Sequence, residues 1–265
     1  MKFQFDHDLH IHSRLSLCSR DEEQSPENIL KYAKEYGLNT ICLTDHFWDE
    51  RVHGCDFDAY QVQNYPYICQ SRPLPQAEGI RFLFGCETEM KLDRTLGISK
   101  ERCEELDFIN IPITHMHFPG FTISEEDGAT AQGRARAWVK RFDKVLSMDL
   151  PFHKIGMAHL TCGLIASHSR EVYLDTLNSI PSEDMERLFK RAASLGVGIE
   201  LNAHDMAFAD EETDTVLRVY RIAKECGCKF YCGSDAHRPK DFAKTESFAR
   251  AIDLLGLEET DKFRI

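Results

Sequence analysis

The chain has 265 residues, of which 42% are hydrophobic and 29% charged, the proportions of an ordinary water-soluble globular protein. A net charge of −12 argues against a protein that coats nucleic acid through a basic face. It leaves an anionic substrate open, because bound divalent cations can dominate the local field of a site.

No apolar run is long enough to span a bilayer, and no membrane partner is expected. The opening Met1-Lys2-Phe3-Gln4-Phe5-Asp6 lacks the apolar core and cleavage site of a signal peptide, so a cytoplasmic location is the default expectation. Ten cysteines occur without a CxxC pair. Cys42 and Cys86 lie in apolar runs, and reduced thiols are expected. The group Cys226, Cys228 and Cys232 does not have a common zinc-site spacing.

In chain order, Asp8-Leu9-His10-Ile11-His12 reads as a strand whose two histidines share a face. Ser25 as N-cap, Pro26 at the first helical position and Gly37 beyond the end mark the first helix. Asn39 to Thr44 is a β-branched, apolar run of buried-strand type that ends in Asp45-His46. The segment from Phe47 to Gly79, interrupted by Pro66, Pro73 and Pro75, is expected to hold one broken helix and to lie as a loop over the site. Ile80 to Cys86 reads as a strand ending in Glu87 and Glu89, and a helical turn follows from Ser99 to Glu105.

Leu106 to Ile111 leads into His115 and His117, and Ser124 opens a helix running to about Leu146 with capping-box spacing. Lys154 to Ala158 ends in His159, and Ser182 caps a helix from Glu183 to Leu195 that Gly196 closes. Val197 to Asn202 ends at His204, and a helix follows from about Asp214 to Glu225. Lys229 to Ser234 ends in Asp235 and His237, and a last helix lies between Asp241 and Leu255.

Seven strand-like runs separated by helical ones imply parallel strands, and no linker divides them, so residues 1–265 read as one α/β domain. Closed on itself, such a sheet is a barrel with every C-terminal strand end on one face; an open doubly wound sheet would spread those ends along a line. Each strand-like run delivers a potential ligand at that end: His10 and His12, His46, Glu87, His115 or His117, His159, Glu200 or His204, and Asp235 with His237. One histidine at a strand end is more often a satisfied polar residue than a ligand. Agreement over seven successive strand ends favours a metal site. Histidines with a few carboxylates suit Zn, Mn or Fe better than Ca or Mg, and their number points to two or three divalent ions.

His10-Ile11-His12, Thr44-Asp45-His46, Gly85-Cys86-Glu87, Met157-Ala158-His159 and Gly233-Ser234-Asp235-Ala236-His237 together resemble the motifs of the PHP (polymerase and histidinol phosphatase) superfamily, in family order. The resemblance implies a distorted, TIM-barrel-like (β/α)7 barrel and a metal cluster that hydrolyses phosphate esters. It also implies that His10, His12, Glu87 and Asp235 hold the first metal. Glu87 would bridge to a second, bound by His159 and by His115 or His117, of which His115 is preferred by counting from Asp107. His46 and His237 would hold a third. Family members usually carry an Asp or His shortly after the HxH pair; here Cys18 and Ser19 stand there, with Asp21 just beyond, so Cys18 as thiolate or Asp21 would have to substitute.

The expected chemistry is in-line hydrolysis of a small phosphomonoester, with histidinol phosphate the leading named substrate. Metals about 3.5–4 Å apart lower the pKa of a bridging water, whose hydroxide attacks phosphorus. Glu87 suits the bridging carboxylate, and His204 or His46 the donor of a proton to the leaving alkoxide. Arg14, Arg170 and Arg238 are the arginines placed to bind phosphate oxygens, each with the alternative of a solvated surface residue. Asp8 and Asp45 precede ligand histidines and are expected to orient an imidazole. Trp48, His53, Tyr60, Tyr65 and Tyr67 offer aromatic surface either to cover a substrate or to pack their loop onto the barrel. Two other readings are a phosphodiesterase or nuclease, which would want a basic groove, and a non-catalytic metal-binding regulator, which would want a closed metal shell.

Overall fold

A computed structural model describes residues 1–19 and 21–265. The protein is an α/β fold built on parallel strands. These are β1 (His7–Ile11), β2 (Thr40–Leu43), β3 (His46–Phe47), β4 (Arg81–Phe84), β5 (Cys86–Thr88), β6 (Ile109–Pro112), β7 (Ile155–Ala158), β8 (Gly198–Asn202) and β9 (Lys229–Gly233). They form a three-stranded sheet, β1-β2-β4, and a six-stranded sheet, β3-β5-β6-β7-β8-β9. All the pairs are parallel.

Two of the expected strands continue past a short break at their C-terminal ends into a second strand segment. The chain of β2 passes through Thr44 and Asp45 into β3, and that of β4 passes through Gly85 into β5. Gly85 N–H donates to Leu43 O at 2.8 Å, and Glu87 N–H to Asp45 O at 3.0 Å, so the ladder survives the breaks. A side chain at Gly85 would put its Cβ 2.2 Å from Phe108 O, which is why the bend falls on glycine. At the far edge, Asp235 N–H donates to His10 O at 2.7 Å and Ile11 bridges Ala236, so β9 runs alongside β1.

Alternation along the strands sorts the two faces. Ile109, Ile111, Ile155, Met157, Ile199, Leu201, Phe230 and Cys232 join the large core cluster with the helices. The alternate positions carry Phe108, Tyr231, Leu9 and Cys42, which form a separate small cluster with Phe263. Gly156 belongs to that second face, where a Cβ would meet Tyr231 Oη at 2.3 Å. On the same face and toward the strand C-termini, the sequence turns from aromatic to ionisable.

The helices follow their caps. Ser25, Ser99 and Ser124 each accept a backbone N–H as N-cap. The helix expected from Ser124 to Leu146 is in fact two, Glu125–Gly128 and Ala131–Ser147, because Thr130 caps a new start by accepting from Gly133 N–H. Ser182 is the first helical residue rather than the cap, and Pro181 holds the cap position. A helix at Arg170–Ser179, capped by Ser169, has a weak apolar stripe and escaped the periodicity reading. The last expected helix begins as a 3-10 segment, Pro239–Glu246, before the α-helix Ser247–Leu255. No described helix is long and apolar enough to cross a membrane.

Candidate metal centre

The ionisable strand ends converge. His10, His12, Glu87, His115, His159 and Glu200 are all buried, and Asp235 is nearly so, at the C-terminal end of the parallel strands. His10 and His12 arrive from β1, with Nε2 atoms 3.1 Å apart. Asp235 Oδ1 lies 3.1 Å from His12 Nε2 and 3.7 Å from His10 Nε2, and Glu87 Oε2 lies 3.5 and 3.7 Å from the same two atoms. The other oxygen of Glu87, Oε1, lies 2.8 Å from His159 Nε2 and 3.8 Å from His115 Nε2. His46 Nδ1 is 2.9 Å from Glu87 Oε2, and its Nε2 is 3.0 Å from Cys18 Sγ. Four overlapping groups of three donors result, each within 4.8 Å: His10, His12 and Glu87; Glu87, His115 and His159; His10, His159 and Asp235; and His12, His46 and His237.

Most of these imidazoles have their inner nitrogen tied to protein and their outer one turned to the cluster. His10 Nδ1 lies 2.7 Å from Glu200, His12 Nδ1 2.8 Å from Ser16 Oγ, His115 Nδ1 2.7 Å from Glu89 and His159 Nδ1 2.8 Å from Thr114 Oγ1. His237 Nδ1 faces its neighbour's carbonyl at Asp235, while its Nε2 is buried without a partner. Tying one nitrogen fixes ring orientation and tautomer and leaves the lone pair of the other for a metal.

The electrostatics agree with a cation site. Burial pushes the Glu87 carboxyl up, but His10 and His46 beside it hold it well below the ordinary range. Asp235 is treated alike: burial raises it, and His10 and His12 pull it well down. Burial lowers His12 far below the usual imidazole value, while Glu200, Asp235 and Glu87 overcome burial at His10 and lift it. Burial raises the Cys18 thiol, and His46 and His237 more than offset that, bringing it to about 7. Carboxylates kept ionised in a buried place call for a compensating positive charge.

Backbone conformation reinforces the picture. His159, directly after β7, and Asp235, two residues after β9, hold φ of 31° and 53°. A non-glycine residue in the left-handed region costs energy, and such residues cluster at functional sites.

The sequence-derived candidates fall into three sets. His10, His12, His46, Glu87, His115, His159, Asp235 and His237 come together in the donor groups. Cys18 lies against His46, and Asp21 lines the same cleft, though its carboxylate accepts from Glu23 N–H and stands in none of the groups. His117 also lines the cleft but joins no group; its Nδ1 is buried and unpartnered, and burial with His115 nearby lowers it to about 4.

His204 faces the cleft with its ring 3.1 Å from Lys244 Nζ; burial and Lys244 lower its pKa. Arg238 lines the cleft and pairs with Asp241 at 3.4 Å. Arg170 is engaged by Glu212 through Nε and Nη2, beside an adjoining cavity of about 530 Å³. Arg14 pairs outward with Glu22 at 3.0 Å and lines neither cavity.

Asp8 and Asp45 act differently from the expectation that they would hold an imidazole. Asp8 accepts from His10 N–H, Ser234 N–H and Tyr32 Oη, joining β1 to the end of β9. Asp45 accepts from Ser13 and from Ser16 Oγ, so it reaches His12 only through the Ser16 hydroxyl. Sequence reasoning missed three supports. Glu89 holds His115 and is itself held by Arg141 and Tyr60. Ser16 and Thr114 fix His12 and His159. Small hydroxyl residues carry no periodic signal, and only proximity in the fold exposes them.

The cleft above the cluster measures about 990 Å³ and is lined by Phe57, Tyr60, Phe118, His117, Cys162, Asp241 and others. From the segment of Phe47 to Gly79, Trp48 does not reach it. Trp48 is buried against Phe121 and donates from Nε1 to Val52 O at 2.9 Å. The segment holds two short helices, Asp58–Gln61 and Tyr65–Ile68, rather than one.

Residues 8–204 match the PHP domain family. No curated protein matches the chain. A crystal structure of histidinol phosphate phosphatase from Lactococcus lactis subsp. lactis Il1403, complexed with Zn, L-histidinol and phosphate, aligns with a TM-score of 0.68 at 19% identity, covering 98% of this chain and 99% of that one. A provisionally named histidinol phosphatase from Listeria monocytogenes aligns with a TM-score of 0.60 at 15% identity, covering 91% and 99%. The likeness shows a shared fold. With the match covering most of its length and the strand-end donors assembled, the chain belongs to the PHP domain family, the metal-dependent phosphoesterases its motifs resemble.

Proposed function

We propose that this protein is a phosphomonoesterase working through two or three divalent ions, with histidinol phosphate as its leading substrate. The observation that carries the reading is Glu87, a buried carboxylate with one oxygen toward His10 and His12 and the other toward His159 and His115. His10, His12, Glu87 and Asp235 would hold one ion; Glu87, His115 and His159 a second. Zn, Mn or Fe suit that donor set. Bound ions at such spacing supply an activated water and neutralise charge building on the phosphoryl oxygens.

The chain's own residues do the rest. Glu200, Ser16, Glu89 and Thr114 orient the ligand imidazoles so that the donor set is fixed before ions or substrate arrive. His204 stands outside the donor groups and faces the cleft, so it is the imidazole placed to pass a proton to the leaving oxygen, its pKa lowered by burial and by Lys244 so that a proton on it is readily given up. Arg238 is the cleft arginine available to a phosphate oxygen, by exchanging its Asp241 contact. Phe57, Tyr60 and Phe118 offer an aromatic wall for the leaving group. A small substrate suits a cleft with this aromatic lining and the acidic net charge better than a nucleic-acid strand does.

We read the two sheets as one distorted seven-stranded barrel in a single domain over residues 1–265. The Asp235–His10 hydrogen bond and the Ile11–Ala236 bridge support closure. Ten free thiols favour a cytoplasmic setting.

The test is a phosphatase screen of the metal-loaded protein with histidinol phosphate, nucleotides, phosphodiesters and p-nitrophenyl phosphate. Turnover of phosphomonoesters led by histidinol phosphate supports the reading. In the His204→Ala variant, alkyl phosphates should lose about 10²-fold in rate while p-nitrophenyl phosphate, whose leaving group needs no proton, loses little. Turnover of diesters alone would favour the nuclease reading, and stoichiometric metal without any turnover the regulatory one.

A further inference from the structure

Behind His204 runs a helical segment of an unusual kind. Pro239–Glu246 is a 3-10 helix of eight residues, and such runs are uncommon beyond a single turn. At three residues per turn, side chains three apart eclipse one another, so Arg238, Asp241, Lys244 and Ser247 stand in one row. In an α-helix each step of three would drift about 60° around the axis, and Lys244 would leave the row. The contacts follow it. Asp241 Oδ2 lies 3.4 Å from Arg238 Nε, and Oδ1 lies 3.3 Å from Lys244 Nζ. Ser247 Oγ donates to Ala203 O at 3.0 Å, which pins the row against the loop carrying His204.

His204 is held from the other side as well. Asn202 Oδ1 accepts from His204 N–H at 2.9 Å, while Asn202 Nδ2 donates to Asp235 Oδ2 at 3.3 Å. The backbone of His204 is thereby fixed relative to the donor cluster. Between these anchors Lys244 Nζ meets the ring, 3.1 Å from Nδ1 and 3.3 Å from Nε2. An ammonium has donors and no acceptor, so the contact needs a ring nitrogen with a free lone pair. His204 is therefore neutral in this pair, and its remaining N–H can serve an alkoxide only if a proton enters the other nitrogen.

Resting on the phosphomonoesterase reading above, we propose that Lys244 is a positioning residue that supplies, through His204, the proton taken by the leaving oxygen. Lys244 donates to Nδ1, the nearer nitrogen. As the phosphorus–oxygen bond breaks, the Nε2–H bond breaks and an O–H bond forms on the leaving group. In the same step an N–H bond of Lys244 gives way to one at Nδ1. The imidazole stays neutral with its tautomer exchanged, and Lys244 is left as an amine. Both groups reach solvent, from which the ammonium and the starting tautomer are restored. Asp241 serves both ends of the row, holding Lys244 toward the ring and Arg238 at the cleft.

The test uses the full-length, metal-loaded protein with histidinol phosphate and p-nitrophenyl phosphate. In Lys244→Met, kcat on histidinol phosphate should fall about 10²-fold, with KM and metal content as in wild type. The p-nitrophenyl ester, whose leaving group needs no proton, should lose little. Lys244→Arg keeps the charge and the donor but holds its proton too tightly to pass it on, and should stay as slow. Lys240→Met, exposed on the same segment but off the row, should behave as wild type. In a His204→Ala background Lys244→Met should cost no further rate, because the two residues act as a unit. Full rate in Lys244→Met or Lys244→Arg, equal losses on the two substrates, or losses additive with His204→Ala would overturn the role of Lys244. The proposed function would still stand on wild-type turnover of phosphomonoesters. A wild-type protein without that turnover would remove both.

Discussion

Glu200 spans two histidines of the donor groups from different strands: its Oε1 lies 2.7 Å from His10 Nδ1 and its Oε2 accepts from His159 N–H at 2.5 Å. One buried carboxylate thus sets the ring of one donor and the backbone of the other, which stands in left-handed conformation. In Glu200→Gln an amide nitrogen has to face either the ring N–H or the backbone N–H, and one donor is left unsatisfied. Metal affinity should fall about 10- to 100-fold, measured by competition with a chromophoric chelator. Unchanged affinity would show that Glu200 is only structural.

Gly233 makes that contact possible. A Cβ there would sit 1.9 Å from Glu200 Oε1 and 2.6 Å from His10 Cβ, so Gly233→Ala should disturb the same pair from the opposite side. The variant should lose metal at least as severely as Glu200→Gln. Wild-type affinity in Gly233→Ala would contradict a close packing of Gly233 against Glu200 and His10.

His115 and His117 should separate cleanly. His115 is locked by Glu89 and points Nε2 toward Glu87, while His117 joins no donor group. His115→Ala should lose metal from the second position and at least about 10²-fold in rate, as expected when a ligand is removed from an ion that stabilises the transition state. His117→Ala should keep its metal count by elemental analysis. The reverse pattern would move the ligand by two residues.

Trp48 and Phe57 test what the long segment after β3 does. Trp48 is 2% exposed and walled in by Phe121, so Trp48→Ala should cost about 3–5 kcal/mol of stability. Its relative rates across phosphoesters should stay as in wild type. Phe57 lines the cleft, and Phe57→Ala should change those relative rates. A specificity change in Trp48→Ala alone would reverse the assignment.

Asp205, outside the donor groups but close enough to His159 to be drawn down by it, gives a pH signature. Burial raises its carboxyl to about 7, against the hydrogen bonds from Thr161 N–H and Oγ1 at 3.1 and 3.0 Å. The folded protein therefore holds a proton that the unfolded chain releases from about pH 3.8 upward. Native binding exceeds unfolded binding in this window, so this group's contribution to stability is greatest below it and is lost as pH rises toward about 7. The loss is on the order of a few kcal/mol. Urea melts of wild type and Asp205→Asn at pH 5 and pH 8, in the same metal-saturated buffer, should show wild type losing stability relative to the variant. A constant difference would contradict a raised Asp205.

Much of the site was legible because β-strand ends are local in sequence. Asp45-His46, Glu87, His159 and Asp235 each follow a short, mainly apolar run, and parallel pairing carries them to one face with His10-Ile11-His12. What was not legible depends on contacts between distant segments. Glu200 looks like one more strand-end donor until His10, 190 positions away, is seen against it. The break at Thr130 was hidden because an amphipathic pattern runs across it, while the cap that restarts the helix is a single hydroxyl. Trp48 and Phe57 are both aromatic in one loop, and only burial tells packing from cleft wall.

Whether these strand-end donors carry a working metal cluster is decided by elemental analysis of the purified protein combined with phosphate release from histidinol phosphate before and after chelation. At least two transition-metal equivalents per chain are expected, with turnover that a chelator abolishes and Zn, Mn or Fe restores. Stoichiometric absence of metal, or turnover indifferent to its removal, would contradict such a cluster.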